Sequence, residues 1–309
     1  MKIAILGATS EIARDMIIRF VKEKTYELFL FSRSSEKSDL WASKLNIKKK
    51  IHHLNLDQFD SAISYDVLIN FIGSGDPSKT QMMGSSIIDV TENYDKLALD
   101  YIAKYKDCRY FFISSGAAYG SNFNDPVDEK SLAIFPVNNL GPSDWYGIAK
   151  FNTECKHRAL KDHHIIDIRI FNYFSATQNY FSNYFMMEIF RSIINKKLFL
   201  TSPDNIYRDF IDPDDLYALF KSLIKSEKTT NCAIDCFSKQ PLNKIDLLEK
   251  LTHKFTFNYQ VTDSYRGNNP TGIKVNYYSK NYKASEFGYE PTLTSEESVM
   301  KHLSLMVND

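Results

Sequence analysis

The first 115 residues repeat one unit, a short apolar run followed by a stretch with apolar residues at helical spacing. The runs lie within KIAILG, YELFLFSR, KKIHHLNLDQF, YDVLINFIGSG and RYFFISS. Strands that alternate with helices are typical of a parallel sheet, because parallel neighbours need a crossover connection between them. The sequence therefore predicts an α/β fold with a doubly wound parallel sheet, whose ligands bind at the carboxyl ends of the strands.

The first unit, KIAILGATSEIARDMIIRFV, ends its apolar run in a turn of small residues. Gly7 occupies the position that a tight turn requires, and Ser10 and Ala13 follow at three-residue spacing. Such a turn before a helix binds the pyrophosphate of a dinucleotide, because backbone N–H groups and the helix dipole face the anion. A βα turn without any ligand would give the same pattern. The residues predicted to line a cofactor here are Gly7, Thr9, Ser10, Glu11 and Ile12.

The ends of the next three strands supply further candidates for the same cofactor. Arg33 follows the second run, at a place where an acidic residue would accept from the ribose of NAD and an arginine suits the 2′-phosphate of NADP(H). We therefore predict NADP(H), with NAD(H) as the alternative if Arg33 is only a solvated loop residue. Asn55 could hydrogen-bond the adenine edge or structure its own loop. The other predicted contacts are Leu56, Phe71, Ile72 and Gly73.

The fifth run ends at Ser115, and in DWYGIAK Tyr146 precedes Lys150 by four residues. Positions i and i+4 share one face of a helix, so the phenol and the ammonium would point the same way. A free tyrosine has a pKa of about 10, which a nearby lysine lowers. Tyr146 could then exchange a proton while Ser115 holds a substrate oxygen. A half-buried tyrosine and a solvated lysine on an ordinary helix would match the bare spacing equally well.

Composition argues against several other classes of function. The formal net charge is zero, so nothing recommends nucleic acid as a partner. No apolar run approaches the roughly 18 residues of a membrane span, and the first run is shorter than a secretory signal. The four cysteines and the histidine pairs lack metal-ligand spacing, so no metal is predicted. Unpaired thiols favour a reducing, cytoplasmic location.

In chain order, these motifs resemble those of the extended short-chain dehydrogenase/reductases, the NAD(P)-dependent sugar-nucleotide epimerase/dehydratase family. GATSEIA resembles the family's GATGFIG turn, FISSGAAYG its FxSSxxVYG strand end, and WYGIAK its YGxSK. DIRIFNYF, YRDFIDPDDLYALF, SYRGN and SKNYKASEFGYEPTLTSEESV resemble later segments. Two turn glycines and the aspartate expected at Asn55 are absent. Glycine is scarce throughout, with 11 of 309 residues, so we interpret these departures as compositional drift.

The resemblance implies a Rossmann domain with a smaller C-terminal α/β lobe that binds substrate. The cofactor domain would comprise residues 1–171 and receive roughly 206–238, and the lobe would comprise 172–205 and 239–309. A homodimer is implied, formed through a four-helix bundle that includes the Tyr146 helix. The implied catalytic residues are Ser115, Tyr146 and Lys150, and the implied contacts of a nucleotide-sugar substrate are Ser115, Asn172, Arg208 and Arg266.

The resemblance also narrows the reaction. Its dehydratases carry an Asp-Glu pair directly after the catalytic Ser or Thr, whereas Gly116 and Ala117 stand here and can transfer no proton. Arg33 favours exchangeable NADPH over the tightly held NAD of an epimerase. We therefore predict an NADPH-dependent reductase of a nucleotide-activated 4-keto-(6-deoxy) sugar, in surface-polysaccharide or deoxysugar biosynthesis. The alternatives are an NAD-dependent sugar-nucleotide 4-epimerase and a non-catalytic NADP-binding protein.

Overall fold

A computed structural model of the chain describes residues 1–44, 51–59, 62–73, 77–226, 228–263 and 274–308. The strands are β1 (Lys2–Leu6), β2 (Glu27–Ser32), β3 (Ile51–Asn55), β4 (Val67–Asn70), β5 (Arg109–Ser115), β6 (Ile165–Ile170), β7 (Asn172–Tyr173), β8 (Phe199–Thr201), β9 (Tyr207–Arg208), β10 (Phe210–Ile211), β11 (Asn231–Asp235), β12 (Leu242–Asn243), β13 (Tyr259–Val261) and β14 (Asn276–Tyr277). The helices are α1 (Glu11–Phe20), α2 (Ser35–Lys44), α3 (Pro77–Met83), α4 (Ser86–Lys104), α5 (Trp145–Ala159), α6 (Phe185–Ile194), α7 (Pro213–Lys225), α8 (Lys244–Lys254) and α9 (Ser295–Asn308).

Seven strands form one sheet in the order β3-β2-β1-β4-β5-β6-β11, and each neighbouring pair is parallel. The chain adds β2 and β3 on one side of β1 and then crosses over to build the other side. This is the doubly wound arrangement predicted from the alternating runs, so the predicted fold class is confirmed. In such a sheet the ligand crevice opens at the carboxyl ends of β1 and β4, where the strand order reverses.

Alternate residues of the central strands face two opposite layers of helices. In β1, Ile3 and Ile5 belong to the core that α1 and α7 cover, whereas Ala4 and Leu6 belong to the core that α4 covers. All four side chains are fully buried. Burial on both faces explains why these strands read as continuous apolar runs rather than as an alternating pattern.

The remaining elements build a smaller lobe around a core of its own. The chain after Asn172 is rich in aromatic residues and methionine, which could clamp a planar ligand group or pack in a core. Met186, Met187 and Ile189 of α6 are buried in the lobe core together with α8 and α9, which favours packing. Helix α8 begins directly after Asn243, whose side chain accepts the N–H groups of Ile245 and Asp246. Across the described ranges, no helix has the length and apolar character that crossing a membrane requires.

Candidate active site

The turn after β1 brings the ends of two strands into contact. Gly7 has φ +77°, a left-handed conformation that glycine adopts without strain. A Cβ at this position would lie 2.9 Å from Cγ1 of Ile72, which follows β4. Ser10 then caps α1, and its Oγ accepts the N–H of Ala13 at 3.3 Å. The first turn of α1 therefore begins at the edge of the crevice, as a dinucleotide site requires.

Two of the predicted cofactor residues have partners within the protein. Asn55 Oδ1 accepts the N–H of Ser35 at 2.9 Å and so joins the end of β3 to the start of α2, while its contact with adenine stays a prediction. Glu11 Oε1 accepts the N–H of Asn179 at 3.1 Å and so connects α1 to the lobe. Arg33 is exposed directly after β2. The remaining members of the set also follow strand ends at this edge, namely Thr9, Ile12, Leu56, Phe71, Ile72 and Gly73.

Lys150 belongs to α5, and its side chain extends to β5 of the sheet. Its Nζ donates to the carbonyl oxygen of Ile113 at 2.8 Å and lies 4.4 Å from the centre of the Phe112 ring. A Cβ on Gly73 would come within 3.2 Å of the same nitrogen, so the end of β4 borders the ammonium. Burial lowers the pKa of Lys150 to about 8, against the opposing effect of Glu154. The amine is therefore still mainly protonated at pH 7.

Three hydroxyl groups converge at the end of β5. Burial raises the pKa of Tyr146, and a hydrogen bond with Ser115 opposes that shift. Ser115 Oγ also lies 3.2 Å from the hydroxyl of Tyr277, a residue of β14. The Lys150 ammonium lies 5.9 Å from the centre of the Tyr146 ring, on the same face of α5. Serine, tyrosine and lysine thus form the proton-exchange arrangement that their spacing predicted.

The residues after Ser115 leave no place for a pair of acids. A Cβ on Gly116 would lie 2.5 Å from Phe171 ring carbons, inside any allowed contact. Ala117 is buried within the 3-10 turn Gly116–Tyr119. A general acid or base at position 116 would therefore collide with the aromatic ring that packs behind it.

A buried ion pair supports the floor of the site one helical turn beyond Lys150. The Glu154 carboxylate accepts from Ser114 at 2.5 Å and from Arg169 at 2.5 to 3.1 Å. Arg169 also lies 4.5 Å from the centre of the Tyr119 ring and 3.4 Å from Asp235. This pair links α5 to the carboxyl ends of β5 and β6, and so holds Lys150 in position relative to Ser115.

The predicted substrate residues lie at the lobe side of the crevice. Asn172 Nδ2 donates to the carbonyl of Asp209 at 3.3 Å. Arg208 donates to the carbonyls of Tyr207 and Lys274 at 2.8 and 2.7 Å, and it forms no ion pair with Asp209 among the residues described. Asp209 is buried and accepts instead from Ser238 and Ser295. Arg266 lies outside the described residues.

Sequence reasoning missed two residues of this site, Tyr277 and Lys274. Both come from the C-terminal part of the chain, and neither belongs to a motif that could have identified it. Glu154 did have a signal, since it follows Lys150 by four residues on α5 and therefore shares its face.

The residues at the crevice fit a nicotinamide dinucleotide. Gly7 and Gly73 both have positive φ and come close to Ile72 and to Lys150, so the backbone leaves a cradle that side chains at these positions would fill. The N-terminus of α1 supplies N–H donors for a pyrophosphate. Lys150 supplies a cation beside the position where Tyr146 and Ser115 converge.

Two other features bear on what else the protein could bind. A cavity of about 720 Å³ lies between α5 and residues 281–286, and Ser115, Tyr146 and Lys150 do not line it. Within the described part of the chain, no three His, Cys, Asp or Glu side chains gather closely enough to hold a metal ion.

Comparison with known proteins agrees with this geometry. The sequence profile described as "NAD dependent epimerase/dehydratase family" matches residues 3–233. No curated protein sequence matches the chain.

Solved structures of that kind share the fold over the full length. UDP-glucuronic acid 4-epimerase from Bacillus cereus has 16% identity and a TM-score of 0.75, covering 100% of this chain and 99% of that one. UDP-glucose 4-epimerase from Bifidobacterium longum has 16% identity and a TM-score of 0.78, with the same coverage. dTDP-glucose 4,6-dehydratase from Bacillus anthracis has 13% identity and a TM-score of 0.77, covering 100% and 97%. With its profile match over most of the length, this chain belongs to the NAD-dependent epimerase/dehydratase family.

Proposed function

We propose that the protein oxidises and reduces C4 of a nucleotide-activated sugar and acts as an NAD(P)-dependent sugar-nucleotide 4-epimerase. The observation that carries the proposal is the convergence of Ser115 and Tyr146 above the Lys150 ammonium, next to a position that has no room for a dehydratase acid. The structural neighbours that are named 4-epimerases favour this alternative over the reductase predicted from Arg33.

Each catalytic residue would act at the sugar C4 oxygen. Ser115 would hold that oxygen by a hydrogen bond, and Tyr146 would take its proton during oxidation and return a proton during reduction. Burial raises the pKa of Tyr146, so loss of its proton depends on the nearby charge of Lys150. A bound nicotinamide would supply the hydride acceptor and donor. Inversion at C4 would then require the 4-keto sugar to rotate in the site before it is reduced.

Arg33 is exposed, and its identity bears both on the choice between NAD(H) and NADP(H) and on the choice between the two reactions. An arginine at the end of β2 supports a preference for NADP(H), while the neighbours named above were solved with NAD. A preference for exchangeable NADPH would favour the second candidate, a reductase of a 4-keto-(6-deoxy) sugar nucleotide. We keep both cofactors in the proposal, with NADP(H) as the one that Arg33 supports.

The two reactions differ in whether reduced cofactor is consumed. For the epimerase, we expect a single sugar nucleotide to give its C4 epimer in an NMR time course, without net NADPH or NADH oxidation. For the reductase, 4-keto sugar nucleotides should drive stoichiometric NADPH oxidation at 340 nm, a wavelength at which only the reduced nicotinamide absorbs. Failure of both assays with UDP, dTDP, GDP and CDP sugars would contradict the proposal.

Removal of one hydroxyl tests the proton-transfer role. Tyr146→Phe should lower turnover by at least about 100-fold, the usual contribution of a general acid–base group, while cofactor affinity changes little. The control is Tyr282→Phe, which removes the hydroxyl of a tyrosine that is 55% exposed. Full activity in the Tyr146 variant would instead assign the proton transfer to a different group, whereas a wild type that binds NADP(H) without turnover would support a non-catalytic NADP-binding protein.

A further inference from the structure

Three lysines are buried in the described part of the chain, and one of them differs from the other two. Lys150 and Lys244 each donate to a backbone carbonyl, Ile113 and Ser202, at 2.8 and 2.7 Å. Lys274 is 5% exposed as a residue and lines a small cavity, yet its ammonium forms no hydrogen bond and no ion pair with any residue that the structure describes. An ammonium in such a poorly hydrated position is costly without an anion, so the position suits a negatively charged ligand.

The surroundings of Lys274 hold the ammonium without neutralising it. Its Nζ lies 4.4 Å from the centre of the Tyr277 ring and 5.1 Å from that of Phe123. Burial lowers the pKa of Lys274 to about 7, repulsion from Arg208 adds to the shift, and Asp144 opposes it. Asp144 is itself engaged, since its Oδ2 accepts the N–H of Gly141 at 2.9 Å. The aromatic faces therefore hold an amine that is about half protonated at pH 7 and that a bound anion would keep charged.

Lys274 stands close to the catalytic hydroxyls. The ring that holds its ammonium belongs to Tyr277, whose hydroxyl lies 3.2 Å from Ser115 Oγ. One tyrosine side chain, about the size of a hexose ring, thus separates the cation from the serine. Lys274 also lines a small cavity with Ala117 and Gly147, which lie two residues and one residue after Ser115 and Tyr146. The ammonium is consequently at the sugar end of the crevice.

We propose that Lys274 binds a carboxylate carried by the sugar, so that the substrate is a nucleotide-activated uronic acid. This inference rests on the proposed function, since it assumes that a sugar nucleotide places its C4 oxygen at Ser115. A carboxylate at C5 of a hexose would be within one ring of that oxygen and could meet the ammonium. A neutral sugar offers only hydroxyl groups and would leave the buried charge unmatched.

A diphosphate contact is the competing role for the same ammonium. Arg208 is adjacent, because its NH1 donates to the carbonyl of Lys274, and the resemblance assigns Arg208 to the diphosphate. The side chain of Lys274 nevertheless extends over Phe123 to the cavity that Ser121 and Ser143 line, beside the start of α5. Since every sugar nucleotide carries a diphosphate and only uronates carry the carboxylate, the two roles predict different ligand dependence.

The test measures binding by calorimetry in the presence of cofactor, with UDP, UDP-glucose and UDP-glucuronic acid, and with GDP, GDP-mannose and GDP-mannuronic acid. In the series whose nucleotide the protein binds, we expect the wild type to bind the uronate at least about 10-fold more tightly than the neutral sugar. That difference is the gain of a charge-assisted hydrogen bond. Lys274→Met should remove that preference, with the neutral sugar changing less than about threefold. Lys274→Arg should restore part of the preference, because it keeps the charge.

Other outcomes would overturn the inference. Equal weakening of the nucleotide, the neutral sugar and the uronate in Lys274→Met would assign the lysine to the diphosphate. A uronate preference that survives in Lys274→Met would assign the carboxylate to another residue. The control is Lys250→Met, which removes an exposed lysine paired with Glu296 and should change no affinity. If cofactor binds but no sugar nucleotide of either series does, this inference fails, and the proposed function fails with it only when the dTDP and CDP sugars also give no turnover.

Discussion

Phe171 occupies the space that any side chain at Gly116 would need, with ring carbons 2.5 Å from the position of a Cβ. The packing around Gly116 therefore agrees with the absence of an acid directly after Ser115. Restoring an acid would not be a simple exchange of one residue, because the ring behind it would have to move. The packing of one aromatic ring thus excludes an acidic side chain at position 116.

Gly116→Asp should consequently give a less stable protein and no dehydratase. Overpacking costs about 1 to 3 kcal/mol, and an unpaired buried carboxylate adds to that. The free energy of unfolding in urea measures the loss. Gly141→Ala is the control, since its Cβ would have its nearest neighbour at 4.0 Å and should change stability by less than about 0.5 kcal/mol. Normal stability of Gly116→Asp would contradict the packing argument.

Arg33→Asp tests the cofactor assignment at the end of β2. Loss of a charge-assisted contact to a 2′-phosphate should weaken NADPH by about 10- to 100-fold while NADH is unaffected or improved. Lys22→Asp is the control, because it makes the same change of charge beyond the end of α1, at the opposite edge of the sheet. Equal NADPH affinity in the Arg33 variant and the wild type would remove the basis for preferring NADP(H).

Between the elements, a buried ionic cluster joins α4, α5 and β6. His157 is fully buried and lies 2.6 Å from Asp167 and 2.9 Å from Asp95, which also accepts from the Tyr110 hydroxyl at 2.7 Å. Burial alone would lower the pKa of His157, but the two carboxylates raise it to about 9. The imidazolium therefore holds together two acids that would otherwise repel each other, about two turns along α5 from Lys150.

This cluster should make stability depend on pH. The folded pKa of about 9 lies above the unfolded value of about 6.5, so the contribution is complete below pH 6.5 and is lost as the pH rises through 9. The difference corresponds to roughly 3 kcal/mol. Between pH 6.5 and 8, the melting temperature should fall in the wild type, and the fall should be smaller in His157→Gln.

Two controls make that comparison specific. His253→Gln changes an exposed histidine of α8 and should leave the pH dependence as in the wild type. At pH 6.5, His157→Gln should already be destabilised by about 3 to 5 kcal/mol, because Asp95 loses its counter-charge and Asp167 keeps only Arg158. An identical pH dependence in the wild type and the His157 variant would show that the imidazole is neutral in the folded protein.

At the scale of the whole molecule, Asp212 connects the sheet domain to the C-terminal helix. Its carboxylate caps α7 and accepts from Ser298 and His302 of α9 at 3.1 Å each, with Lys301 3.2 Å away. Burial would raise the pKa of Asp212, but His302, the cap N–H and Lys301 together lower it strongly. One buried carboxylate thus holds the lobe helix against the helix that covers the sheet.

Asp212→Ala should loosen this connection. We expect a loss of about 3 to 5 kcal/mol, since His302 would lose its buried acceptor and Lys301 would keep only the exposed Asp214. Limited proteolysis should then release α9 faster than in the wild type. Asp214→Ala is the control, because Asp214 also contacts Lys301 but has a 61% exposed side chain and should contribute less than about 1 kcal/mol. Equal rates of α9 release in the two variants would contradict this role of Asp212.

The quaternary structure belongs to the same scale and stays a prediction. α4 and α5 pack side by side, and the resemblance implies that such a pair forms a four-helix bundle with a second copy. Sedimentation velocity would measure the state of assembly directly. The boundaries assigned to the cofactor domain and the lobe are also predictions that proteolysis could test.

Sequence reasoning was sufficient for the fold class, because it depends on local patterns. The alternation of five apolar runs with helical stretches predicted a parallel sheet, and β1 to β5 follow the predicted runs closely. The four-residue spacing placed Tyr146 and Lys150 on one face of α5 before any contact was known. Helical and strand periodicity act over a few residues, so they can be read directly.

Only the tertiary structure decided the features that depend on distant segments. Tyr277 approaches Ser115 across 162 positions of the chain, and Lys274 of the same segment places its ammonium 4.4 Å from the centre of the Tyr277 ring. The contact of Asn55 with the N–H of Ser35, and the Phe171 ring beside Gly116, likewise join segments that meet only in the folded chain. The physical reason is that burial and steric exclusion depend on which segments pack together, and local spacing carries no record of that.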